Sequence, residues 1–376
     1  EYDGSAWQFT APVSGQPVYV MDELLLYQWS GSAWALFSGG PGGSDTQVQF
    51  NDAGDLGGSS SLTYDKANTA LQVDNLELDG NSLSVTDTNG SLVLSPNGNG
   101  AIQVDTGGNT RGLLALDLQN DRFVAAQVAS GDYSMVRGRY CTASGDYATA
   151  SGEEATASGR GANACGSLAF ASGAFSYANG GLTSATGTFA NANGTSASAT
   201  SSYATAKGFE AHASAPYSTA SGYFVHARLL GQHSQASAPF DYSVGSAQTS
   251  VLTALRSTSN NTQTELTLDG DIPSGSNRLT LLDQDCWLFS VFIVARRTDA
   301  DNEGAAFEVK GALDRNGSTT ALVGSISKTV IARDDATWDI TVQADDTNDS
   351  LQILVTGASS KTIRWVARIE LTEVNG

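Results

Sequence analysis

Three histidines, His212, His226 and His233, are the side chains of this sequence best suited to proton transfer or metal binding near neutral pH. A nucleophilic triad places a serine or cysteine beside an oriented histidine. The sequence contains neither the G-x-S-x-G turn that exposes such a serine nor a phosphate-binding glycine loop, so we expect no catalysis of those kinds. His212 and His226 are fourteen residues apart, and we expect them to stack on an outward face, as a solvated pair or as a metal or ligand contact.

Two acidic patterns point to other chemistry. The DADNEG sequence places Asp299, Asp301 and Glu303 at alternating positions, as at the start of a calcium loop, but a lysine stands where the bidentate acid belongs. A solvated turn is the simpler interpretation, and we expect no metal and no other cofactor. Asp334 and Asp335 are adjacent acids, which face opposite ways on a strand, whereas glycoside hydrolysis needs two carboxyls about 5 to 9.5 Å apart across a groove. We therefore predict no catalytic residues and a protein that is not an enzyme.

The overall charge excludes several classes of partner. The 376 residues carry a formal net charge of −20, so nucleic-acid phosphates and anionic lipids would be repelled. The longest apolar run, CWLFSVFIVA, is about half of the ~20 residues that cross a bilayer, and it reads as a buried strand. Cys141, Cys165 and Cys286 are too few and too widely spaced for a disulfide framework or a zinc site. We predict no membrane span and no nucleic-acid partner.

The elements that must position these side chains are dominated by a seven-residue repeat. From Gly131 the sequence runs GDYSMVR, GRYCTAS, GDYATAS, GEEATAS and onward for fourteen units. The first position is Gly except at Ser201 and Ala215, the fourth is small or Val, and the sixth is Ala except at Val136. A period sustained this long indicates a solenoid. The unit breaks at Leu229 and Leu230 and resumes once as GQHSQAS, and we expect this insertion to end or cap the roll.

The positions within each unit predict a coil. The fourth and sixth residues share one side of a strand and are expected to face inward, and the fifth faces outward. Glycine at the first position would supply a tight corner and let the next coil approach closely. Two units would make one coil, so that residues fourteen apart stack at roughly 4.8 Å.

The third position of alternate units is mostly aromatic. If the strand continues through it, these rings point outward and need another surface to bury them, since the alanine interior contributes little and a buried ring is worth about 1.5 to 3 kcal/mol. We therefore predict an obligate homotrimer; the alternative is that the rings cover corners of a monomeric solenoid. The predicted trimer-interface residues are Tyr133, Tyr147, Phe175, Phe189, Tyr203 and Tyr217.

The composition changes along the chain predict five segments. Aromatic runs open the chain, a glycine-rich stretch follows, and short alternating runs such as LQVDNLEL, LSVTD, LVLS and AIQVD are separated by NG, DG and GG turns. The segments are a small aromatic-rich β module at 1–38, a linker at 39–46, a shaft at 47–123, the β-roll at 124–237 and a tip at 238–376.

The C-terminal segment has a different texture from the roll. About eight long alternating strands with turn signals between them predict an antiparallel β-sandwich or jelly roll. Trp287, Trp338 and Trp365 each lie in an alternating apolar row, and core positions are favoured over sugar-binding platforms.

Several motifs carry a family resemblance. The units GDYATAS, GEEATAS and GAFSYAN resemble the head repeats of trimeric autotransporter adhesins, which implies a left-handed parallel β-roll in a trimer, although Ala stands here where those heads often use Val or Ile. The stretches VQFNDAGDLGGSSSLTYD and GSLVLSPNGNGAIQVD look like bacteriophage tail-fibre shafts. PVYVMDELLLYQWSGSAW is similar to a small module of phage tail proteins.

Together these features predict an all-β homotrimeric fibre with a β-stranded shaft, a left-handed parallel β-roll and a C-terminal antiparallel β-sandwich. The resemblance implies a phage tail fibre, or receptor-binding protein, that is assembled in the bacterial cytoplasm, belongs to the virion and is extracellular at attachment. Its expected partners are itself, a host cell-surface glycan or envelope protein, and other tail proteins at the N-terminal end. No receptor-binding residues are assigned. The alternatives are a bacterial trimeric surface adhesin and a tailspike enzyme that degrades polysaccharide.

Overall fold

The structure is a computed structural model that describes residues 3–37, 44–52, 55–67, 70–73, 100–104, 107–119, 121–300 and 303–376. All regular secondary structure in these residues is β-strand, so the all-β prediction is confirmed for this part of the chain. Within the same ranges there is no helix long and apolar enough to cross a membrane. The chain divides into two units, Glu1–Val93 and Leu94–Gly376.

The described residues of the first unit form two small antiparallel sheets, with strands numbered here in chain order. Trp29 and Trp34 are paired across one of them, with ring centroids 5.4 Å apart. The strands are β1 (Pro17–Val20), β2 (Leu25–Trp29) and β3 (Trp34–Leu36), and then β4 (Gln47–Asp52), β5 (Asp55–Asp65) and β6 (Ala70–Val73). The shaft runs predicted between residues 74 and 99, and most of the predicted linker, lie outside the described residues.

The second unit begins with a solenoid of about nine turns. Its two parallel sheets pair residues fourteen apart, for example Ala150 with Ala164 and Ala157 with Ala171, so two seven-residue units make one coil, as predicted. One sheet contains β7 (Ile102–Gln103), β8 (Leu116–Leu118), β9 (Met135–Arg139), β11 (Thr149–Glu153), β13 (Asn163–Ser167), β15 (Tyr177–Asn179), β17 (Asn191–Thr195), β19 (Thr205–Phe209), β21 (Thr219–Tyr223) and β23 (His233–Ala236). The other contains β10 (Thr142–Ala143), β12 (Thr156–Ala157), β14 (Phe170–Ala171), β16 (Ser184–Ala185), β18 (Ser198–Ala199), β20 (His212–Ala213) and β22 (His226–Ala227).

The interior of the solenoid is made almost entirely of alanine. The residues at the fourth and sixth positions of the units, such as Ala148 and Ala150, are buried and form one continuous cluster, which confirms that the small residues face inward. The parallel ladder also includes β7 and β8, so it extends N-terminally of residue 124. Because a buried alanine removes little apolar surface from water, this core is thin.

The corners are not built as the sequence suggested. All fourteen third-position residues adopt the left-handed conformation, with φ between 49° and 65°, including Tyr147 and Glu154. The strand therefore ends before the third position, whereas the sequence analysis reasoned from a strand that continues through it. First-position glycines of even units, such as Gly152 inside β11, have φ of 117° to 143°. A Cβ on Gly152 would approach the backbone of Gly166, on the next coil, closer than 3.0 Å, so here glycine serves close approach rather than the corner.

The repeat does not break at the two leucines that were predicted to be an insertion. His233 pairs with Thr219, fourteen residues earlier, which places Leu229 and Leu230 at the first and second positions of a fifteenth unit in unbroken register. Leu229 is buried in the core of the C-terminal module. The change from Gly to Leu therefore marks the point at which the roll packs against a different neighbour, and the predicted insertion is wrong.

The C-terminal module consists of two antiparallel sheets over one shared core. Trp287, Trp338 and Trp365 are fully buried in it, as predicted, and Trp365 Nε1 donates a hydrogen bond to Thr258 Oγ1 at 3.0 Å. Its strands are β24 (Ala247–Thr258), β25 (Thr264–Glu265), β26 (Leu279–Thr280), β27 (Asp285–Arg297), β28 (Gly304–Asn316), β29 (Thr319–Leu322), β30 (Ser327–Arg333), β31 (Asp339–Asp345), β32 (Ser350–Thr356) and β33 (Ile363–Asn375). One sheet has the order β29-β28-β27-β33-β24, with β30 on β28, and the other has β25-β32-β26, with β31 on β32. Strand β24 pairs with β23 of the roll, so the roll and this module share a sheet.

Candidate functional site

The aromatic side chains predicted as a trimer interface form a ladder along one corner of the roll. Neighbouring rings are nearly parallel, with centroids 5.1 to 5.2 Å apart, because the corner repeats once per coil. In the single chain each ring remains 47% to 60% exposed. The ladder consists of Tyr133, Tyr147, Phe175, Phe189, Tyr203 and Tyr217.

The ladder stabilises its own chain only in part. Offset stacking of aromatic rings contributes about 0.5 to 1.5 kcal/mol per pair, and half of each ring's surface still faces solvent. Exposed apolar patches of this extent on a soluble protein mark contact surfaces. The ladder therefore packs along the corner of its own chain and also presents an exposed apolar surface. The left-handed conformation of the third position fixes how its rings stack.

A cation fills the one gap in the ladder. Gly161 stands at the third position between Tyr147 and Phe175, and has no side chain to stack. The guanidinium of Arg160 lies 6.0 Å from the Tyr147 ring centroid and 5.6 Å from that of Phe175, which is within cation–π range of both. Arg160 was not singled out from the sequence; the signal was an arginine directly before the one glycine in the aromatic column.

The two histidines expected to stack on an outward face are in contact, but edge to face rather than stacked, and their surroundings differ. His212 and His226 meet edge to face, with ring centroids 6.2 Å apart, and His212 Nε2 lies 3.4 Å from a carboxylate oxygen of Glu210. Burial, followed by the charges of Arg228 and His212, lowers the pKa of His226 to about 4. His226 is therefore neutral at physiological pH.

A serine lies beside the partly buried His226. Ser214 Oγ and His226 Nε2 are 2.9 Å apart, which is the distance of a nucleophile from its general base. A histidine with so low a pKa is a poor proton acceptor near pH 7. The His226 backbone is also fixed from both sides, because its N–H donates to Gln248 Oε1 and its C=O accepts from Gln248 Nε2. We interpret the serine–histidine pair as structural.

The acidic loop uses its described carboxylates in ion pairs. Arg297 contacts Asp299 at 2.7 Å and Glu303 at 3.2 Å, and Lys361 contacts Glu303 at 2.8 Å. The hydrogen bond from Arg297 lowers the pKa of Asp299. Asp301, the third candidate calcium ligand, lies outside the described residues. Among the residues that are described, no cluster of three His, Cys, Asp or Glu side chains has metal-binding geometry.

The paired acids Asp334 and Asp335 make separate contacts. Asp334 accepts a hydrogen bond from the Gly304 N–H at 2.7 Å, and Asp335 pairs with Lys361 at 2.7 Å. The Lys361 hydrogen bond, with those of Thr337, lowers the pKa of Asp335 to about 2. Each carboxylate is thus engaged in its own stabilising interaction.

A polar network joins the last coils of the roll to the C-terminal module. Arg228 pairs with Asp285 at 2.9 Å, with both side chains largely buried. Glu373 is buried nearby, and burial raises its pKa. Gln232 and Gln248 donate hydrogen bonds to the Glu373 carboxylate at 3.5 and 3.2 Å. Because removing one member would leave buried polar groups unpaired, the junction is held in one geometry.

No protein-family model matches the chain, and no curated protein matches it. Among solved structures, it is similar to the tailspike protein gp49 from Acinetobacter baumannii bacteriophage Fri1, a capsular polysaccharide depolymerase, with 9% identity and a TM-score of 0.23 over 72% of this chain and 50% of that one. It is also similar to the Acinetobacter baumannii phage AM24 tailspike protein, with 9% identity and a TM-score of 0.18 over 65% of this chain and 50% of that one. The chain spans half the length of either tailspike. Likeness at this level assigns no activity or substrate to this chain.

The prediction that the protein is not an enzyme is contradicted by this comparison, because the first of these tailspikes is a depolymerase. That prediction relied on missing triad and paired-acid patterns, and such patterns detect only the chemistries they describe. A non-enzymatic role is therefore not retained.

Proposed function

We propose that the chain is a subunit of a homotrimeric phage tail fibre or tailspike that attaches the virion to a polysaccharide on the host surface. The observation that carries the proposal is the half-exposed aromatic ladder on a solenoid whose interior is alanine. The predicted shaft motifs at residues 47–123 and the resemblance of the repeats to adhesin heads support a fibre. The expected partners at its N-terminal end are other tail proteins.

The proposed trimer is supported by the apolar surface that each chain still exposes on the ladder. The ladder rings keep about half of their surface in water, so burying that remainder against sister subunits contributes about 1 kcal/mol per ring. The six rings of each chain would together add about 6 kcal/mol to the burial that the alanine interior provides. Three copies on one rigid fibre also raise the avidity of individually weak receptor contacts.

A matched pair of substitutions tests the role of the ladder. Phe189 and Leu168 both occupy third positions, with φ of 56° and exposures of 47% and 46%, on opposite corners of the roll. Ser196 shows that serine is accepted at this position on the Leu168 corner. We expect Phe189→Ser to weaken the trimer, measured by sedimentation equilibrium, and Leu168→Ser to leave it unchanged. Equal effects of the two variants would remove the ladder from the interface.

Attachment and cleavage are measured in one experiment with the full chain. The protein is incubated with purified capsular polysaccharides, O-antigens and envelope-protein fractions from a panel of bacteria, and both retained protein and released reducing sugar are recorded. Retention on one polysaccharide supports attachment. Retention with sugar release identifies a tailspike-type depolymerase. Retention on no fraction contradicts the proposed function.

A further inference from the structure

Four aromatic side chains form a cluster at the C-terminal end of the roll, on the corner opposite the ladder. Phe209 contacts Tyr223 and Phe224 with ring centroids 5.3 and 5.6 Å apart, and Tyr223 contacts Phe224 at 4.9 Å. Tyr242, on the segment that leaves the roll, lies 6.0 Å from Phe224. The cluster therefore connects the last two coils with the start of the C-terminal module.

Only the centre of this cluster is buried. Phe224 is 8% exposed, whereas Phe209 is 41%, Tyr223 37% and Tyr242 78% exposed. The three outer rings are held by the inner one and keep much of their surface in solvent. An exposed set of large rings held in a fixed arrangement is a contact surface rather than a core.

The coil itself does not require aromatic residues at these positions. The second position of the same corner, occupied by Phe209 and Tyr223, holds Ser167, Gly181 and Thr195 in the preceding coils. The strands of those coils pair in the same fourteen-residue register. At this position the aromatic residues are thus confined to the end of the roll nearest the C-terminal module, where they add exposed apolar surface.

Hydrogen-bonding groups border the rings. Glu210 follows Phe209 directly, its carboxylate lies 3.4 Å from His212 Nε2, and its side chain is 29% exposed. Tyr223 and Tyr242 each add a phenolic hydroxyl that can donate and accept. Flat apolar faces bordered by a carboxylate and hydroxyls match a sugar ring, which presents a C–H face on one side and hydroxyls around its edge. A carboxylate at the border favours an uncharged sugar over an acidic one.

We propose that Phe209, Tyr223 and Tyr242, with Glu210, form a binding site for an uncharged sugar unit of a bacterial surface polysaccharide. This assignment rests on the proposed attachment function and gives it a location. Tyr203 of the ladder and Glu210 are seven residues apart, which is half a coil, so the site and the ladder occupy different corners.

The test uses substitutions that each remove one aromatic ring, and within the roll the replacement is the residue found one coil earlier. Phe209→Thr installs the residue found one coil earlier at Thr195, and Tyr242→Ser removes the outermost ring. Phe170 is 41% exposed, like Phe209, but stands outside the cluster, and Thr156 occupies its position one coil earlier. Phe170→Thr is therefore the matched control. The full-length trimers are applied to an array of purified capsular and O-antigen polysaccharides, and affinity for each captured one is measured with its oligosaccharide repeat in solution.

We expect Phe209→Thr and Tyr242→Ser each to weaken oligosaccharide binding on the order of tenfold, the value of one apolar ring contact, while Phe170→Thr binds as the wild type does. Wild-type affinity in both cluster variants would overturn the site and leave the attachment function standing. Wild-type protein that is retained by envelope proteins but by no polysaccharide would overturn the saccharide assignment. Retention by neither would overturn the attachment function as well.

Discussion

Two adjacent glycines in the roll are expected to respond oppositely to alanine. Gly180 has φ of 129°, and a Cβ there would lie closer than 3.0 Å to the backbone of Gly194 on the next coil. Gly181 has no left-handed φ and open space around the position of a Cβ. The pair therefore separates the requirement for close coil stacking from any general effect of adding a methyl group at this place.

The magnitudes follow from the two environments. In Gly180→Ala, a backbone conformation available essentially to glycine costs about 1 to 3 kcal/mol. Moving the chain away from Gly194 also loosens the backbone pairing of Asn179 with Asn193 on that coil, and each hydrogen bond of such a pairing is worth about 1 kcal/mol. Gly181→Ala lowers the entropy of the unfolded chain and stabilises by about 0.4 to 1 kcal/mol. The variants should differ by about 3 kcal/mol in the free energy of unfolding.

The assay is denaturant unfolding of both variants, monitored by circular dichroism at matched protein concentration. Relative to the wild type, Gly180→Ala should unfold at a lower denaturant concentration, and Gly181→Ala at the same or a higher one. Equal midpoints would refute the reasoning, because they would show that the first-position glycines are not required by the contact between coils.

Two further predictions concern side chains on the roll. Arg160→Ala should destabilise the chain by about 0.5 to 1 kcal/mol, and a double-mutant cycle with Phe175→Ala should recover a coupling energy of that size; zero coupling would remove Arg160 from the ladder. Because burial lowers the pKa of His226 to about 4 from its ordinary 6.5, the unfolded chain binds more protons between these pH values, and stability should fall as pH drops through that window. His226→Gln should flatten this dependence relative to a His233→Gln control in thermal unfolding at several pH values, and parallel curves would contradict the assignment.

The period of the repeat made the solenoid predictable, whereas its corners were not. Alanine at the sixth position of nearly every unit, with small residues at the fourth, left one arrangement in which a coil closes on itself. The left-handed third position escaped prediction because residues such as Tyr147 and Leu168 rarely adopt positive φ alone. Here the hydrogen bonds of the neighbouring coils impose that conformation in every unit, which local preferences do not report.

Contacts that depend on register between coils were also missed. Arg160 lies between the Tyr147 and Phe175 rings, at the level where Gly161 has no side chain to occupy the space. Phe209 and Tyr223 lie at the second position of their units, whereas the sequence prediction used only the aromatic residues at the third position. The two leucines that suggested an insertion, including Leu229, instead mark the place where the roll meets another core. Each case required knowing what lies one coil away.

The molar mass of the folded chain in solution tests the central claim most directly. Multi-angle light scattering on the full-length protein at micromolar concentration should report about 117 kDa, three times the 38.9 kDa of one chain, with β-rich circular dichroism at the same concentration. A folded, soluble species of 38.9 kDa would show that the alanine interior suffices by itself and that the aromatic ladder needs no sister subunit.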